Sequence, residues 1–177
     1  MQKIYFISGV SGVGKTSTLK ELKKTLDPKL YNIRDLDERG VPDGGGFDWL
    51  NSETRHWLDT GKENANNGKS TIICGFANPE LFEKVHNPET DIPAEIILLN
   101  ASAETIKERL LGRHSTPESV KEIERASGQT LEKFIENCTS FSTELRDIFA
   151  KRNLPIIETD NKTPEEVTKE VIEIIKK

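Results

Sequence analysis

The sequence predicts an α/β fold, a three-layer sandwich in which helices cover both faces of a five-stranded parallel sheet. Short apolar segments alternate along the chain with longer segments of helical periodicity, which is the order that builds parallel strands with helical crossovers. The apolar segments show little polar/apolar alternation, as expected of strands that are covered on both faces. We predict strands at residues 3–8, 30–34, 70–76, 94–101 and 154–159.

The composition limits the class of protein. The chain has 177 residues, of which 34% are hydrophobic and 31% charged, and this suits one domain, residues 1–177, with a sizeable core. The net charge of −5 argues against a large nucleic-acid surface. No apolar segment approaches the roughly 18 residues of a membrane-spanning helix. Cys74 and Cys138 lack metal-ligand spacing, so we expect reduced thiols in a cytoplasmic monomer or homodimer.

A glycine-rich segment directly follows the first predicted strand. Residues 9–16, GVSGVGKT, fit the pattern G-x-x-x-x-G-K-[ST] in full. Glycines allow a sharp turn whose backbone N–H groups point at phosphate oxygens, and the helix that follows adds the positive end of its dipole. Lys15 can reach the β- and γ-phosphates, and the Thr16 hydroxyl can join a Mg²⁺ shell. We therefore predict that ATP and Mg²⁺ are bound by Gly9, Ser11, Gly12, Val13, Gly14, Lys15, Thr16 and Ser17.

The second predicted strand runs into RDLDERG, residues 34–40. This places Asp35 and Asp37 at the carboxyl edge of the sheet, where ligands of such folds bind. Phosphoryl transfer to a hydroxyl needs a carboxylate that orients the hydroxyl and accepts its proton, and we assign Asp35 to that role. Asp37 is a candidate for holding Mg²⁺ through water, and both carboxylates are candidate acceptor contacts.

Residues 38–69 form a predicted acceptor-binding insertion. Three glycines, at 44–46, predict a flexible turn in it. Trp49 and Arg55 are candidate acceptor contacts, because an aromatic ring stacks on a base or a sugar and a guanidinium holds an anionic group. Trp57 shares the helical spacing of neighbouring apolar residues, which favours a place in the core.

Further candidates follow the third and fourth predicted strands. Gly75 falls at the carboxyl end of the third strand and is a candidate acceptor contact. Arg109 and Arg113 are four residues apart on one helix face, where they can clamp the transferring phosphoryl group. The alternative is that both arginines are solvated and pair with neighbouring glutamates. Residues 113–128 are predicted to be a short lid that excludes water from the reaction.

The remaining helices are predicted from periodicity and capping residues. They lie at residues 15–26, 52–66, 79–85, 102–113 and 129–151. The last of these carries a long apolar stripe. Thr163 to Glu166 is a capping box that opens the final helix.

Three classes of nucleotide-binding protein use such a loop. A switch GTPase would carry N-K-x-D, but residues 161–164 read NKTP, with Pro in place of Asp. A motor ATPase would end an apolar strand in Asp-Glu, whereas the third predicted strand ends at Cys74 and Gly75. A kinase passes the γ-phosphoryl group to an acceptor, and the candidate carboxylates and arginines favour this class.

Four segments resemble the small P-loop kinases, which comprise the adenylate and other nucleoside-monophosphate kinases with the shikimate and gluconate kinases as relatives. The opening strand and loop, a segment similar to the adenylate-kinase "DGFPR" segment, the segment that enters the lid and the closing segment near the adenine are all matched. In this chain they are IYFISGVSGVGKTS (4–17), IICGFANPE (72–80), AEIILLNASAETIKERLLGR (94–113) and IIETDNKTPEEVTKEVIEII (156–175).

The resemblance implies a P-loop fold with a five-stranded parallel core and ATP–Mg²⁺ as the phosphoryl donor. It implies that Lys15 and Thr16 lie on the phosphates and the metal. It also implies that Arg109 and Arg113 lie at the base of the lid, and that Asn161 to Pro164 lie near the adenine. The chain departs from the family at Cys74, which replaces an Asp, and in residues 38–69, which match no acceptor pocket.

We therefore predict an ATP-dependent kinase that phosphorylates a small molecule: a nucleotide, a nucleoside or a hydroxylated metabolite. Three alternatives remain open at this point. The NIRDLDER segment is also similar to the 5′-hydroxyl polynucleotide kinases. The others are an antibiotic-modifying phosphotransferase and a non-catalytic module that senses ATP.

Overall fold

One parallel sheet of five strands forms the centre of the molecule. The computed structural model describes residues 1–42, 45–89 and 91–177, and the strand order is β2-β3-β1-β4-β5. The predicted parallel sheet is confirmed, with strand bounds within two residues of those expected from the sequence. The strands are β1 Ile4–Ser8, β2 Tyr31–Asp35, β3 Ser70–Cys74, β4 Ala94–Asn100 and β5 Ile156–Glu158.

Seven helices in the described part of the chain cover the sheet. They are α1 Lys15–Thr25, α2 Gly46–Asn66, α3 Pro79–Val85, α4 Ala103–Arg113, α5 Pro117–Ser127, α6 Leu131–Lys151 and α7 Pro164–Ile175. The last five begin at a residue whose side chain accepts a hydrogen bond from the first helical turn, namely Asn78, Ser102, Thr116, Thr130 and Thr163. These caps fix where each helix starts, because they satisfy N–H groups that have no partner within the helix.

Alternate residues of β1 divide the core into two layers. Tyr5 and Ile7 belong to a buried cluster that includes apolar residues of α1, α4 and α7. Ile4 and Phe6 belong to a second buried cluster, with residues of α2, α3 and the C-terminal half of α6. A strand that is buried on both faces needs no polar alternation, and this explains the continuous apolar run in its sequence.

Helix α2 is longer than the sequence predicts. It begins at Gly46, six residues before the expected start at Ser52. Leu50 is buried and packs in the same core layer as Trp57, seven residues later, so the apolar face of the helix starts one turn earlier. The structure therefore places Gly46 in the helix rather than in a flexible turn, while Gly44 lies outside the described residues.

Helix α6 contacts both core layers. Ile135, near its N-terminus, belongs to the first layer, whereas Leu145 and Phe149 belong to the second. The helix therefore runs from one face towards the other, with residues in its first half close to the carboxyl edge of the sheet.

Within the described ranges, no helix combines the length and the apolar character needed to cross a membrane.

We predict opposite effects on stability for two Gly→Ala substitutions in helices. At Gly61 in α2 an added Cβ would lie 2.3 Å from Cδ1 of Ile4, so G61A should lower the free energy of unfolding, because overpacking a core costs about 1–3 kcal/mol. Gly112 in α4 has open space around it, so G112A should raise stability by about 0.5–1 kcal/mol through helix propensity. Urea denaturation measures both, and stabilisation by G61A would contradict the close packing of α2 on β1.

Candidate active site

The candidate site lies at the carboxyl edge of the sheet, beside β1. β1 pairs with β3 on one side and with β4 on the other, so the chain leaves β1 at the point where the strand order reverses. Open α/β sheets bind their ligands at this switch point. The segment that leaves β1 here is the glycine-rich loop, residues 9–16, which we call the phosphate loop.

Three glycines of the phosphate loop, Gly9, Gly12 and Gly14, have positive backbone φ angles that other residues rarely adopt. Gly9 has φ 148°, and a Cβ there would lie 2.5 Å from the carbonyl oxygen of Leu99, so β4 leaves no room for a side chain. Gly14 has φ 106° and precedes α1 without contributing a capping side chain. The first turn of α1 also lacks an acidic residue, so its N–H groups and positive dipole end suit a phosphate anion.

Lys15 lies across the phosphate loop. Its Nζ donates to the carbonyl oxygens of Gly9, at 2.7 Å, and Val10, at 2.9 Å. Burial lowers the pKa of Lys15 to about 8, and the negative charges of Asp37 and Asp35 oppose this shift. The loop thus holds a cation that stays protonated at neutral pH, next to two carboxylates.

Arg109 and Thr159 hold the other side of the phosphate loop. The Arg109 guanidinium donates from Nη1 to the Gly12 carbonyl at 3.2 Å and to the Thr159 hydroxyl at 3.0 Å, and from Nη2 to the Thr159 carbonyl at 2.9 Å. The Thr159 hydroxyl in turn donates to the Val13 carbonyl at 3.0 Å. These bonds join α4 and the end of β5 to the middle of the loop.

Asp160 fixes the start of α4, and so the helix that carries Arg109. Its carboxylate accepts hydrogen bonds from the Ser102 hydroxyl and from the Thr105 hydroxyl, both at 2.6 Å, and from the Ser102 N–H. Desolvation acts to raise the pKa of Asp160, but the bonds from Ser102 and Thr105 outweigh it and hold that pKa below its usual range.

A polar cavity of about 350 Å³ lies between the phosphate loop, α4 and the start of α7, and we call it the α4/α7 cavity. It brings together several residues predicted to bind the nucleotide, including Ser17. It is lined by Gly12, Val13, Gly14, Ser17, Thr18, Arg109, Arg113, Thr159, Lys162, Pro164 and Val167. Asn161, also predicted near the nucleotide, is exposed with φ 55° and does not line this cavity.

The turn after β2 is anchored by Leu36. Leu36 is buried, its N–H donates to the Cys74 carbonyl at 2.9 Å, and its own carbonyl accepts from the Trp57 indole N–H at 3.2 Å. A Cβ at Gly75 would lie 2.1 Å from Cβ of Leu36. The lack of a side chain at Gly75 therefore makes room for Leu36, and the predicted acceptor contact of Gly75 stays a prediction.

Asp35 and Asp37 lie on either side of this buried leucine. The Asp35 carboxylate accepts from the Asp37 N–H at 3.1 Å, so it also stabilises the turn. Desolvation and the charge of Asp35 raise the pKa of Asp37, while Lys15 lowers it. Asp37 lines a cavity beside the phosphate loop, whereas Asp35 does not, and the base role of Asp35 stays a prediction.

This second cavity, of about 380 Å³, lies between the phosphate loop and α6, and we call it the α6 cavity. One wall consists of Gly9, Val10, Ser11 and Lys15, and Asp37 adds the carboxylate. The other wall comes from residues after β3 and around the start of α6, and consists of Phe76, Gln129, Phe134, Asn137, Cys138 and Phe141.

Trp49 and Arg55, predicted to contact the acceptor, line neither cavity. Trp49 is partly buried against the second core layer. Arg55 donates from Nη2 to the Asp91 carboxylate at 2.6 Å. Trp57 is buried, as predicted. The acceptor role of Trp49 and Arg55 stays a prediction, and the structure gives Arg55 a partner in the segment between α3 and β4.

The remaining predicted residues surround the phosphate loop. Thr16 lies exposed in the first turn of α1, where its hydroxyl is available to a metal. Arg113 is exposed at the end of α4, and α5, in the predicted lid, packs against α6. Cys74 is buried, and burial raises the pKa of its thiol to about 12, so it is neutral at pH 7.

Two features of the site were not predicted from the sequence. The signal in the sequence for Thr159 was its position at the end of the fifth predicted strand, at the carboxyl edge of the sheet. Phe134, Cys138 and Phe141 belong to the apolar stripe predicted at 129–151, to which no ligand contact was assigned. The signal was the length of that stripe, because a helix of 21 residues extends beyond a sheet whose strands have three to seven residues.

Comparison with known proteins identifies the family. Residues 6–132 match a protein-family model described as an AAA domain. The chain is 30% identical over 179 residues to the "Putative adenylate kinase" of Pyrococcus furiosus, an alignment that covers 97% of this chain and 83% of that protein.

Solved structures of kinases share the fold. Shikimate kinase from Acinetobacter baumannii, in complex with shikimate, matches with a TM-score of 0.58 and 14% identity, over 99% of this chain and 93% of that chain. A sugar kinase from Janibacter sp. matches with a TM-score of 0.55 and 22% identity, over 99% and 95%. The phosphate loop, the parallel sheet and these relatives together show that the chain belongs to the P-loop small-molecule kinases.

Proposed function

We propose that this kinase transfers the γ-phosphoryl group of ATP to a hydroxyl group of a small molecule in the α6 cavity. The observation that carries the proposal is the position of the phosphate loop between two cavities. Residues 12–14 line the α4/α7 cavity, whereas residues 9–11 and Lys15 line the α6 cavity. The phosphoryl donor, ATP, and the molecule that accepts the phosphoryl group can therefore reach the same loop from different sides.

The α4/α7 cavity suits the nucleotide. Its cations, Arg109, Arg113 and Lys162, match the charge of a phosphate chain, and Pro164 and Val167 offer apolar surface to a base. Mg²⁺ fits the oxygen donors nearby, since the Thr16 hydroxyl lies in the first turn of α1. The described residues contain no cluster that could hold a metal without phosphate, so the ion would bind together with the nucleotide. When bound, Mg²⁺ neutralises phosphate charge.

The α6 cavity supplies a base for a hydroxyl acceptor. In the proposed reaction the acceptor oxygen attacks the γ-phosphorus, the bond between that phosphorus and the β–γ bridging oxygen breaks, and ADP leaves. The hydroxyl proton passes to the Asp37 carboxylate and from there to solvent. Lys15 and Arg113 stabilise negative charge on the transferring group. The raised pKa of Asp37 makes it a stronger base than an ordinary carboxylate.

A nucleoside monophosphate is the second candidate acceptor. The observation in its favour is the 30% identity to a protein named as an adenylate kinase. Against it, no arginine lines the α6 cavity among the described residues, and Asp37 would repel a phosphate dianion. ADP release with a panel of nucleosides, nucleoside monophosphates, hydroxy acids and sugars distinguishes the two candidates. An enzyme that no member of the panel stimulates, although it binds ATP, would contradict the proposed function.

Asp37→Asn should lower kcat by about 10²–10⁴-fold, because general-base catalysis contributes about that factor. Asp35→Asn is the matched control. An amide oxygen can still accept the Asp37 N–H, so we expect a loss below about tenfold. Removing the Asp35 charge also lowers the pKa of Asp37, so the acid limb of the kcat/KM profile should move to lower pH. Steady-state turnover with the best acceptor measures both variants, and near-normal turnover by Asp37→Asn would favour the phosphate acceptor.

ADP affinity should fall above about pH 8, by up to about tenfold per pH unit, because Lys15 loses its charge there. Lys15→Arg should remove this fall, since a guanidinium stays protonated. In Asp37→Asn the fall should begin at lower pH, because the Asp37 charge raises the pKa of Lys15. Calorimetric titration with ADP between pH 7 and 9.5 measures all three proteins. An identical pH dependence in Lys15→Arg would show that another group controls binding.

A further inference from the structure

The side chains that line the α6 cavity indicate which class of acceptor it can bind. Three phenylalanines, Phe76, Phe134 and Phe141, lie around the opening opposite the phosphate loop. All three are only partly buried, and the rings of Phe76 and Phe141 are 5.6 Å apart between centroids, with 44° between their planes. Their exposed faces offer a stacking surface to a flat ring.

The position of Phe76 is fixed by the strand next to it. Ser8, at the end of β1, donates from its hydroxyl to the Ala77 carbonyl at 2.7 Å and accepts from the Ala77 N–H at 2.9 Å. Both backbone polar groups of Ala77, the residue after Phe76, are thus bonded to the end of β1. These bonds hold the backbone beside Phe76 next to the start of the phosphate loop.

The same cavity has a neutral polar edge. The Asn137 side-chain N–H donates to the Gln129 carboxamide oxygen at 2.6 Å. Within the described parts of the chain, the carboxamide oxygen of Asn137 and the carboxamide NH2 group of Gln129 have no further hydrogen-bond partner. These neighbouring amide groups, one a donor and one an acceptor, can form hydrogen bonds with the polar edge of a heterocycle.

Charge excludes several other acceptors. Among the described residues that line the α6 cavity, Lys15 is the only cation, and it belongs to the phosphate loop. A carboxylate or phosphate on the acceptor would find no guanidinium there and would face the negative Asp37. The volume of about 380 Å³ is that of a small-molecule site.

We propose that the acceptor is an uncharged, hydroxyl-bearing aromatic heterocycle of the nucleoside class, with its base against Phe76, Phe134 and Phe141 and its hydroxyl towards Asp37. This inference rests on the proposed function, because it assigns the acceptor of that same reaction. The sugar hydroxyl oxygen forms the new bond to phosphorus, ADP leaves, and Asp37 takes the hydroxyl proton. The product is a nucleoside monophosphate.

The test is transfer of labelled phosphate from ATP to four matched acceptor sets: common nucleosides, their 5′-monophosphates, free ribose and an alicyclic hydroxy acid. We expect at least one nucleoside to have a kcat/KM more than tenfold above that of its own monophosphate and of ribose. Preference for a monophosphate, ribose or the hydroxy acid would overturn the assignment while leaving the kinase intact. No transfer to any of them would overturn the proposed function itself.

Two Phe→Leu variants show where the acceptor binds. Phe141→Leu keeps an apolar side chain but removes the ring, so the KM for the nucleoside should rise at least tenfold while the KM for ATP stays constant. Phe82→Leu is the matched control, because it also removes a ring but Phe82 is buried in the second core layer and lines neither cavity. An unchanged nucleoside KM in Phe141→Leu would contradict stacking in the α6 cavity.

A binding measurement that does not need turnover uses Cys138. Its thiol lies in the wall of the α6 cavity, whereas Cys74 is 2% exposed. Without ATP, the preferred nucleoside should slow alkylation of Cys138 by N-ethylmaleimide at least fivefold, and ribose should not. Equal rates with and without saturating nucleoside would place the acceptor outside this cavity.

Discussion

The buried hydroxyl of Thr159 links three separate segments of the chain at the phosphate loop. It donates to the Val13 carbonyl and accepts from Arg109, whose guanidinium also bonds the Gly12 carbonyl. Because Asp160, the next residue, holds the first turn of α4, the end of β5 positions both the loop and the helix that carries the arginines. The geometry of the α4/α7 cavity therefore depends on the hydrogen bonds of Thr159, which also lines that cavity.

A second constraint positions the carboxylates. Leu36 fits beneath the sheet edge because Gly75 has no side chain, and the indole of Trp57 holds its carbonyl. Burying this one leucine leaves its neighbours on the surface of the turn, with Asp37 in the α6 cavity and Asp35 supporting it. The packing of Leu36 therefore decides which carboxylate of the turn lines the α6 cavity.

Local patterns in the sequence predicted the parts of the site that depend on local structure. The phosphate loop, the parallel strands and the capping box at Thr163 are encoded by neighbouring residues. The acceptor side was harder to predict, because α6 reaches the loop across a long separation in sequence. No ligand contact was predicted for Phe134 and Phe141, which pack against the first core layer and also line the α6 cavity. Arg55 pairs with Asp91, and its acceptor contact stays a prediction. Apolar periodicity identifies a buried face but not whether a helix or a ligand covers it.

A crystal structure with Mg²⁺ and a non-hydrolysable ATP analogue tests the central claim most directly. The claim is that the phosphate loop separates a nucleotide cavity from an acceptor cavity. We predict the base of the analogue in the α4/α7 cavity, near Arg109 and Pro164, and its terminal phosphate at Lys15, facing Asp37. A base bound against Phe76 and Phe141 in the α6 cavity would contradict the account, because the acceptor would then have no site.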